Sequence, residues 1–167
     1  SFVTYSGRII DNEGGWTLAL AEGPIEIETR LLALKRGSMD DDEGPIASGA
    51  ACLFVDRLRY RLGDGLGISL ERSRVPWRDD LADVLASGLV DGSLNKTLSA
   101  LGLKVASGEE WASVVTALGK EDAAVMARAA GEPMLRLRRV TRAEDGGVIE
   151  YVDSMLDPHH FGLHVAF

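Results

Sequence analysis

The chain has one cysteine, Cys52. A disulfide framework is therefore impossible within it, and Cys52 sits in an apolar run, Ala50-Ala51-Cys52-Leu53-Phe54-Val55. A buried, inert thiol is the expectation, and it suits a reducing cytoplasm. No run of eighteen apolar residues exists, so no helical membrane span is expected. No basic-then-apolar leader follows Ser1, and an opening serine in place of methionine reads as a fragment or a processed chain. Positive charge is scarce: Lys and Arg number 18 against 26 Asp and Glu, a net charge of −8. Duplex DNA is a polyanion whose binding needs clustered cations, and no such cluster is present. If the chain serves a DNA-binding protein, another part reads the DNA.

Metal ligands are also few. The three histidines are His159, His160 and His164. The first two are neighbours that would face opposite sides of a strand, and nothing elsewhere completes a zinc set. The acidic run Met39-Asp40-Asp41-Asp42-Glu43 lacks the spacing of a calcium loop. No metal and no cofactor are expected.

What remains is an ordinary globular composition, 46% hydrophobic and 26% charged, over a length that suits one domain with one core. A phrase occurs twice in it. Arg57-Leu58-Arg59, Asp64-Gly65 and Glu71-Arg72-Ser73-Arg74-Val75-Pro76 make the first copy. Arg138-Arg139-Val140, Asp145-Gly146-Gly147 and Val148-Ile149-Glu150-Tyr151 make the second. Asp-Gly between β-prone runs predicts a hairpin, because glycine accepts the positive φ of the turn. Two such hairpins predict a duplicated sheet that could hold a small polar ligand between its halves.

The rest reads as α+β. Strands are expected over 16–20 and 25–34, a solvated loop over 36–49, and the first hairpin over 50–60 and 68–75, ended by Pro76. Asp79 or Asp80 is placed to cap a helix bearing Leu81, Val84, Leu85 and Leu89. Ser93 is placed to cap a second, with Leu94, Leu98 and Leu101 as its stripe and Gly102 at its end. An extended segment over 103–118, broken near Ser107-Gly108, precedes a helix over 120–130. That helix starts near Gly119 and is stopped by Gly131 and Pro133. A second hairpin and a closing strand fill 134–167. Trp16, Trp77 and Trp111 read as core or dimer-face aromatics, with Trp77 also able to line a pocket mouth.

Several of these segments resemble the UTRA domain, the effector-binding half of GntR-type bacterial transcription regulators of the HutC subfamily. Gly131-Glu132-Pro133-Met134-Leu135-Arg136-Leu137-Arg138-Arg139, then Asp145-Gly146 and Ile149-Glu150-Tyr151, is similar to the family's last third. Arg57-Leu58-Arg59 with Leu70-Glu71-Arg72-Ser73-Arg74-Val75-Pro76 is similar to its "RLR…ERS..P" segment. Gly92-Ser93-Leu94 with Leu98 resembles its "GSLY..L" helix start, and Ser1-Phe2 its opening. The resemblance implies a chorismate lyase-like fold, mostly antiparallel with helices packed on the sheet. It also implies a homodimer, a winged helix-turn-helix domain upstream of Ser1, and a small anionic effector: a carboxylate, phosphate or phosphonate. Tyrosines common in the family are replaced by Asn95 and Leu156, which removes part of its usual polar reach.

Alternate residues of a strand share a face, so Arg57 and Arg59 point the same way and offer a fork to an anion. Glu71 either orients them or accepts from a ligand hydroxyl, and pairing across the hairpin is the plain alternative. Ser93 either only caps its helix or also offers an anion site at the helix start. The resemblance places Glu150 at an effector contact. Arg57, Arg59, Glu71, Ser93 and Glu150 are thus expected around one cavity. A chorismate pyruvate-lyase-like enzyme is the rival reading, because that enzyme shares the implied fold and a similar "ARS..P" segment.

Overall fold

The computed structural model describes residues 2–5, 8–10, 17–19, 26–40 and 44–166, with side chains over 26–40 and 44–162. Three short strands come first: β1 (Phe2–Tyr5), β2 (Arg8–Ile10) and β3 (Thr17–Ala19). Four elements of the main body follow: β4 (Ile27–Ser38), β5 (Ala51–Arg61), β6 (Gly67–Pro76) and helix α1 (Leu81–Ser87). Helix α2 (Leu94–Ala100), β7 (Ser107–Val115) and helix α3 (Lys120–Val125) lead to β8 (Met134–Arg142), β9 (Val148–Leu156) and β10 (Leu163–Ala166).

Six strands form one antiparallel sheet in the order β4-β5-β6-β9-β8-β7. It consists of two three-stranded meanders, β4-β5-β6 and β7-β8-β9, set side by side with β6 against β9. This is the duplication expected from the repeated phrase. Both Asp-Gly pairs make their turns, with Gly65 at φ +73° and Gly146 at φ +85°. The α+β, mostly antiparallel reading stands. β1 pairs with β10 and β2 with β3, each outside the main sheet.

One face of the sheet is covered by α1 and α2. Leu53, Val55 and Val75 of the sheet are buried there with Leu81, Val84, Leu94 and Leu98. On the other face, α3 packs Ala123 and Met126 on Leu58, Leu70 and Met134. Gly67 permits that approach. A Cβ there would lie 2.8 Å from the Met126 Cα, and Gly67 N–H donates to the Met126 carbonyl at 2.8 Å. Cys52 is fully buried, as expected, beside Met39, Ile46 and Tyr151.

Several boundaries differ from the sequence reading. β4 runs on to Ser38, because Arg36, Gly37 and Ser38 pair with Leu53, Cys52 and Ala51; backbone pairing carries these polar residues, and the loop begins only afterwards. Asp41, Asp42 and Glu43, like Trp16, lie outside the described residues. Ser107 and Gly108 do not interrupt the extended segment but open β7, paired with Arg142 and Thr141. α3 ends at Val125, five residues early, with Ala127 turning to φ +52°. α1 is also short: Leu89 lies beyond it, and Leu85 is exposed. Asp80 stands at the start of α1 without a capping bond; its carboxylate takes Arg78 instead. Ser93 does cap α2, accepting from Lys96 N–H at 3.2 Å, and Gly102 follows at φ +76°.

His159 and His160 sit in a turn after β9, not on a strand. Buried Asp157 organises that turn: its carboxylate accepts from the His159 backbone N–H at 2.8 Å and lies 2.6 Å from His160 Nδ1. It also pairs with Arg128, whose Nε donates to the Gly67 carbonyl at 2.7 Å. Burial pushes the Asp157 carboxyl up, but the His159 amide, Arg128 and His160 outweigh it and hold it below the usual carboxylate range.

Candidate functional site

β6 is central, and its residues from Gly67 to Glu71 are buried on both faces. Its alternation is unusual. Leu70 faces the α3 cluster, whereas Ser69, Glu71 and Ser73 share the opposite face and are 3%, 3% and 0% exposed. A polar face normally marks contact with water, so three polar residues in succession at core-level burial need internal partners.

The register supplies those partners. Glu71 stands opposite Arg57 on β5 and Ser154 on β9, and Ser69 opposite Arg59 and Leu156. Arg57 and Arg59 therefore do share a face, on the side of the sheet covered by α1 and α2, one step from Val55. Both pair with Glu71: Arg57 through Nη2 and Oε1, Arg59 through Nη1 and Oε2 at 2.9 Å. The two arginine side chains are 11% and 8% exposed. The cross-hairpin pairing considered as the plain alternative is thus present, and it engages both arginines.

Burial alone would raise the Glu71 carboxyl. The two guanidiniums outweigh it and leave the group below its ordinary value. Burial lowers Arg59, with Glu71 opposing and Arg57 adding to the fall. Glu150 behaves otherwise. Burial and the neighbouring Glu71 charge raise it from 4.5 to about 7, despite help from Ser73, Arg57 and Arg139. The Ser73 hydroxyl lies 3.5 Å from Glu71 Oε1 and also serves Glu150. One hydroxyl has one proton to give, so it cannot donate to both carboxylates at once. Arg57 Nε and Thr141 Oγ1 are buried without an acceptor or donor, and Thr141 stands opposite Glu150 in the sheet.

Arg57, Arg59, Glu71 and Glu150 are therefore brought together. Ser93 is not bonded to them: its hydroxyl accepts from Lys96 N–H and its carbonyl from Thr97 Oγ1. It begins the helix that covers the same sheet face. Sequence reasoning missed Ser69, Ser73, Ser154 and Thr141. The i, i+2, i+4 spacing of Ser69, Glu71 and Ser73 was the available signal, but it reads as a solvated face until burial is known. Trp77 packs against the α1–α2 cluster with Arg36 stacked 4.4 Å from its ring. Among the described residues no three His, Cys, Asp or Glu side chains gather in a way that could hold a metal ion, and no helix is long and apolar enough to cross a membrane.

A duplicated antiparallel sheet with helices on it thus encloses a buried, charge-bearing polar face. The UTRA domain model matches residues 25–161, and the chain belongs to that family. Its role is that of an effector-binding, regulatory domain. The chain is similar in fold to the ligand-binding domain of a putative GntR-family transcriptional regulator from Bordetella bronchiseptica. That match has a TM-score of 0.66 and 14% identity and covers 100% of this chain and 98% of that one. The effector domain of PhnF from Mycobacterium smegmatis gives a TM-score of 0.64 at 20% identity, over 80% and 82% of the two chains. The C-terminal domain of histidine utilization repressor from Pseudomonas syringae pv. tomato str. DC3000 gives 0.66 at 14%, over 85% and 99%. No curated protein matches the chain.

Proposed function

We propose that the chain binds a small anionic metabolite, a carboxylate, phosphate or phosphonate, on the face formed by Arg57, Arg59, Glu71 and Glu150. Ser93 and the start of α2 form its rim. Binding alters the hold of an upstream winged-helix domain on operator DNA, and the working unit is a cytoplasmic homodimer reading a two-fold site. The chain itself, at net charge −8, takes no part in holding DNA.

The observation that carries this reading is the buried polar face of β6. Two buried guanidiniums share one firmly ionised carboxylate, and Arg57 Nε has no acceptor. With Glu150 protonated the group carries a net positive charge, which an incoming anion neutralises. The test is a thermal-shift panel of carboxylates, phosphate and phosphonates. One class should raise the melting temperature of the parent, and the rise should vanish in Arg57→Ala. A panel with no response would overturn the site. Release of pyruvate from chorismate at a rate lost in Glu150→Gln would overturn the regulatory role in favour of the lyase-like one.

A further inference from the structure

The polar face of the sheet does not end at Glu150. Arg139 on β8 stands opposite Val152 on β9, and Val152 stands opposite Ser73 on β6. Residues paired across antiparallel strands share a face, so Arg139 lies on the face of Arg57, Glu71 and Glu150. Its side chain is 50% exposed, where those of Arg57 and Arg59 are 11% and 8%. The face therefore opens to solvent at its β8 end. Arg139 Nε lies 3.5 Å from Glu110 Oε1, longer than an ordinary hydrogen bond, and an exposed pair of that kind holds an arginine weakly. Glu150 and Thr141 stand opposite one another beside it. The Glu150 carboxyl feels the charges of both Arg57 and Arg139, and Thr141 Oγ1 is buried without a partner.

We propose that Arg139 holds a second end of the effector, and that the effector is an elongated dianion, a chain with a carboxylate, phosphate or phosphonate at each end. The proposal rests on the anion-binding reading above and adds to it the ligand's length and its second charge. The strand order β5-β6-β9-β8 sets Arg57 and Arg139 three strand spacings apart, about 14 Å between backbones. Side chains leaning in from both ends shorten that gap, but no single carboxylate or phosphate group spans what is left. The Arg57–Arg59 fork takes one anionic group. Arg139, turning from Glu110, takes the other. The Thr141 hydroxyl and the protonated Glu150 carboxyl lie along the way and meet polar atoms in the middle of the chain. Joining two weak anion sites in one ligand makes the second contact intramolecular, so a dianion of matching length gains over either end alone.

The test is calorimetric titration of the whole chain with probes matched in length and differing only at the far end. Linear dicarboxylates from succinate to suberate are set against the monocarboxylates from butyrate to octanoate, and phosphonocarboxylates against alkylphosphonates. At its best length the dianion should bind about fivefold tighter than its monoanion, the worth of one partly exposed charge pair. Arg139→Ala should abolish that preference, and Arg139→Lys should keep part of it. Glu110→Gln releases Arg139 and should raise dianion affinity by about twofold. Arg57→Ala should weaken both series. A dianion no tighter than its monoanion at every length, or a preference that survives in Arg139→Ala, would overturn the second pole and leave the anion site standing. A loss in Arg139→Ala as large for monoanions as for dianions would overturn it too, by making Arg139 a support of the first pole. No binding in either series would overturn both the second pole and the anion site.

Discussion

Glu150 lends itself to the sharpest test, because its environment makes its charge costly. Its carboxyl rises from 4.5 to about 7 through burial and the Glu71 charge. The sign follows from linkage. The folded state holds a proton on Glu150 that the unfolded chain releases once pH passes 4.5. Stability from this group is therefore present in full below about 4.5 and is lost as pH rises to about 7. The gap corresponds to about 3 kcal/mol at about 1.4 kcal/mol per pH unit. Glu150→Gln keeps the shape of the protonated acid and cannot ionise. It should leave stability nearly unchanged at pH 5 and raise it at pH 8 by up to about 3 kcal/mol. For a chain of this length that is a rise of roughly 6–12 °C in melting temperature. Glu71 and Asp157, held below their usual range, shift overall stability the other way as pH rises. The comparison is therefore between variant and parent at each pH, by thermal unfolding from pH 5 to 8. A variant no more stable than its parent at pH 8 would refute the placement of Glu150 in a dry, anion-bearing site.

Three other substitutions probe the rest of the framework. Arg59→Ala removes one of two partners from a buried carboxylate and should cost about 3–5 kcal/mol in denaturant unfolding at pH 7. An unchanged midpoint would mean that Arg57 alone suffices. Ser93→Ala removes the α2 cap and should cost about 1 kcal/mol; in the thermal-shift panel, loss of the anion response without a matching loss of stability would give Ser93 a ligand contact as well. Gly67→Ala drives a Cβ to 2.8 Å from the Met126 backbone, which no rotamer can relieve. It should cost about 1–3 kcal/mol or more and accelerate hydrogen exchange in α3, and a neutral result would mean that α3 is not seated on β6 as described.

The fold was largely legible because its signals are local. Asp64-Gly65 and Asp145-Gly146 announce two hairpins, Ser93 and Gly102 bracket α2, and the repeated phrase announces two related halves. The errors fell where non-local pairing overrides local preference. Arg36, Gly37 and Ser38 look like loop, yet β5 holds them in register. The alanine-rich stretch after Lys120 looks like three turns of helix, yet it stops at Val125 so that Met126 can meet Gly67. No local pattern marks Asp157 as the residue that organises a turn. Only the tertiary structure brings Arg128, twenty-nine residues earlier, onto its carboxylate.

The site was legible in its parts and hidden in its balance. Period two put Arg57 and Arg59 on one face, and hairpin register put Glu71 within their reach. No local rule says that β6 and β9 are neighbours, and that adjacency decides the chemistry. It brings Glu150 close enough to feel the Glu71 charge and sets two carboxylates competing for the Ser73 hydroxyl. Two guanidiniums with one ionised acid make a receptor for an anion, whereas a second ionised acid would cancel it. The protonation of Glu150 therefore decides which state the site presents near neutral pH. An anion bound to the arginines would raise the Glu150 carboxyl further, so binding would take up a proton. Affinity should then fall as pH rises from 7 to 9, and that fall should disappear in Glu150→Gln. Titration of the parent with its responding anion at several pH values, showing a flat profile, would separate Glu150 from the ligand even if the arginines hold it.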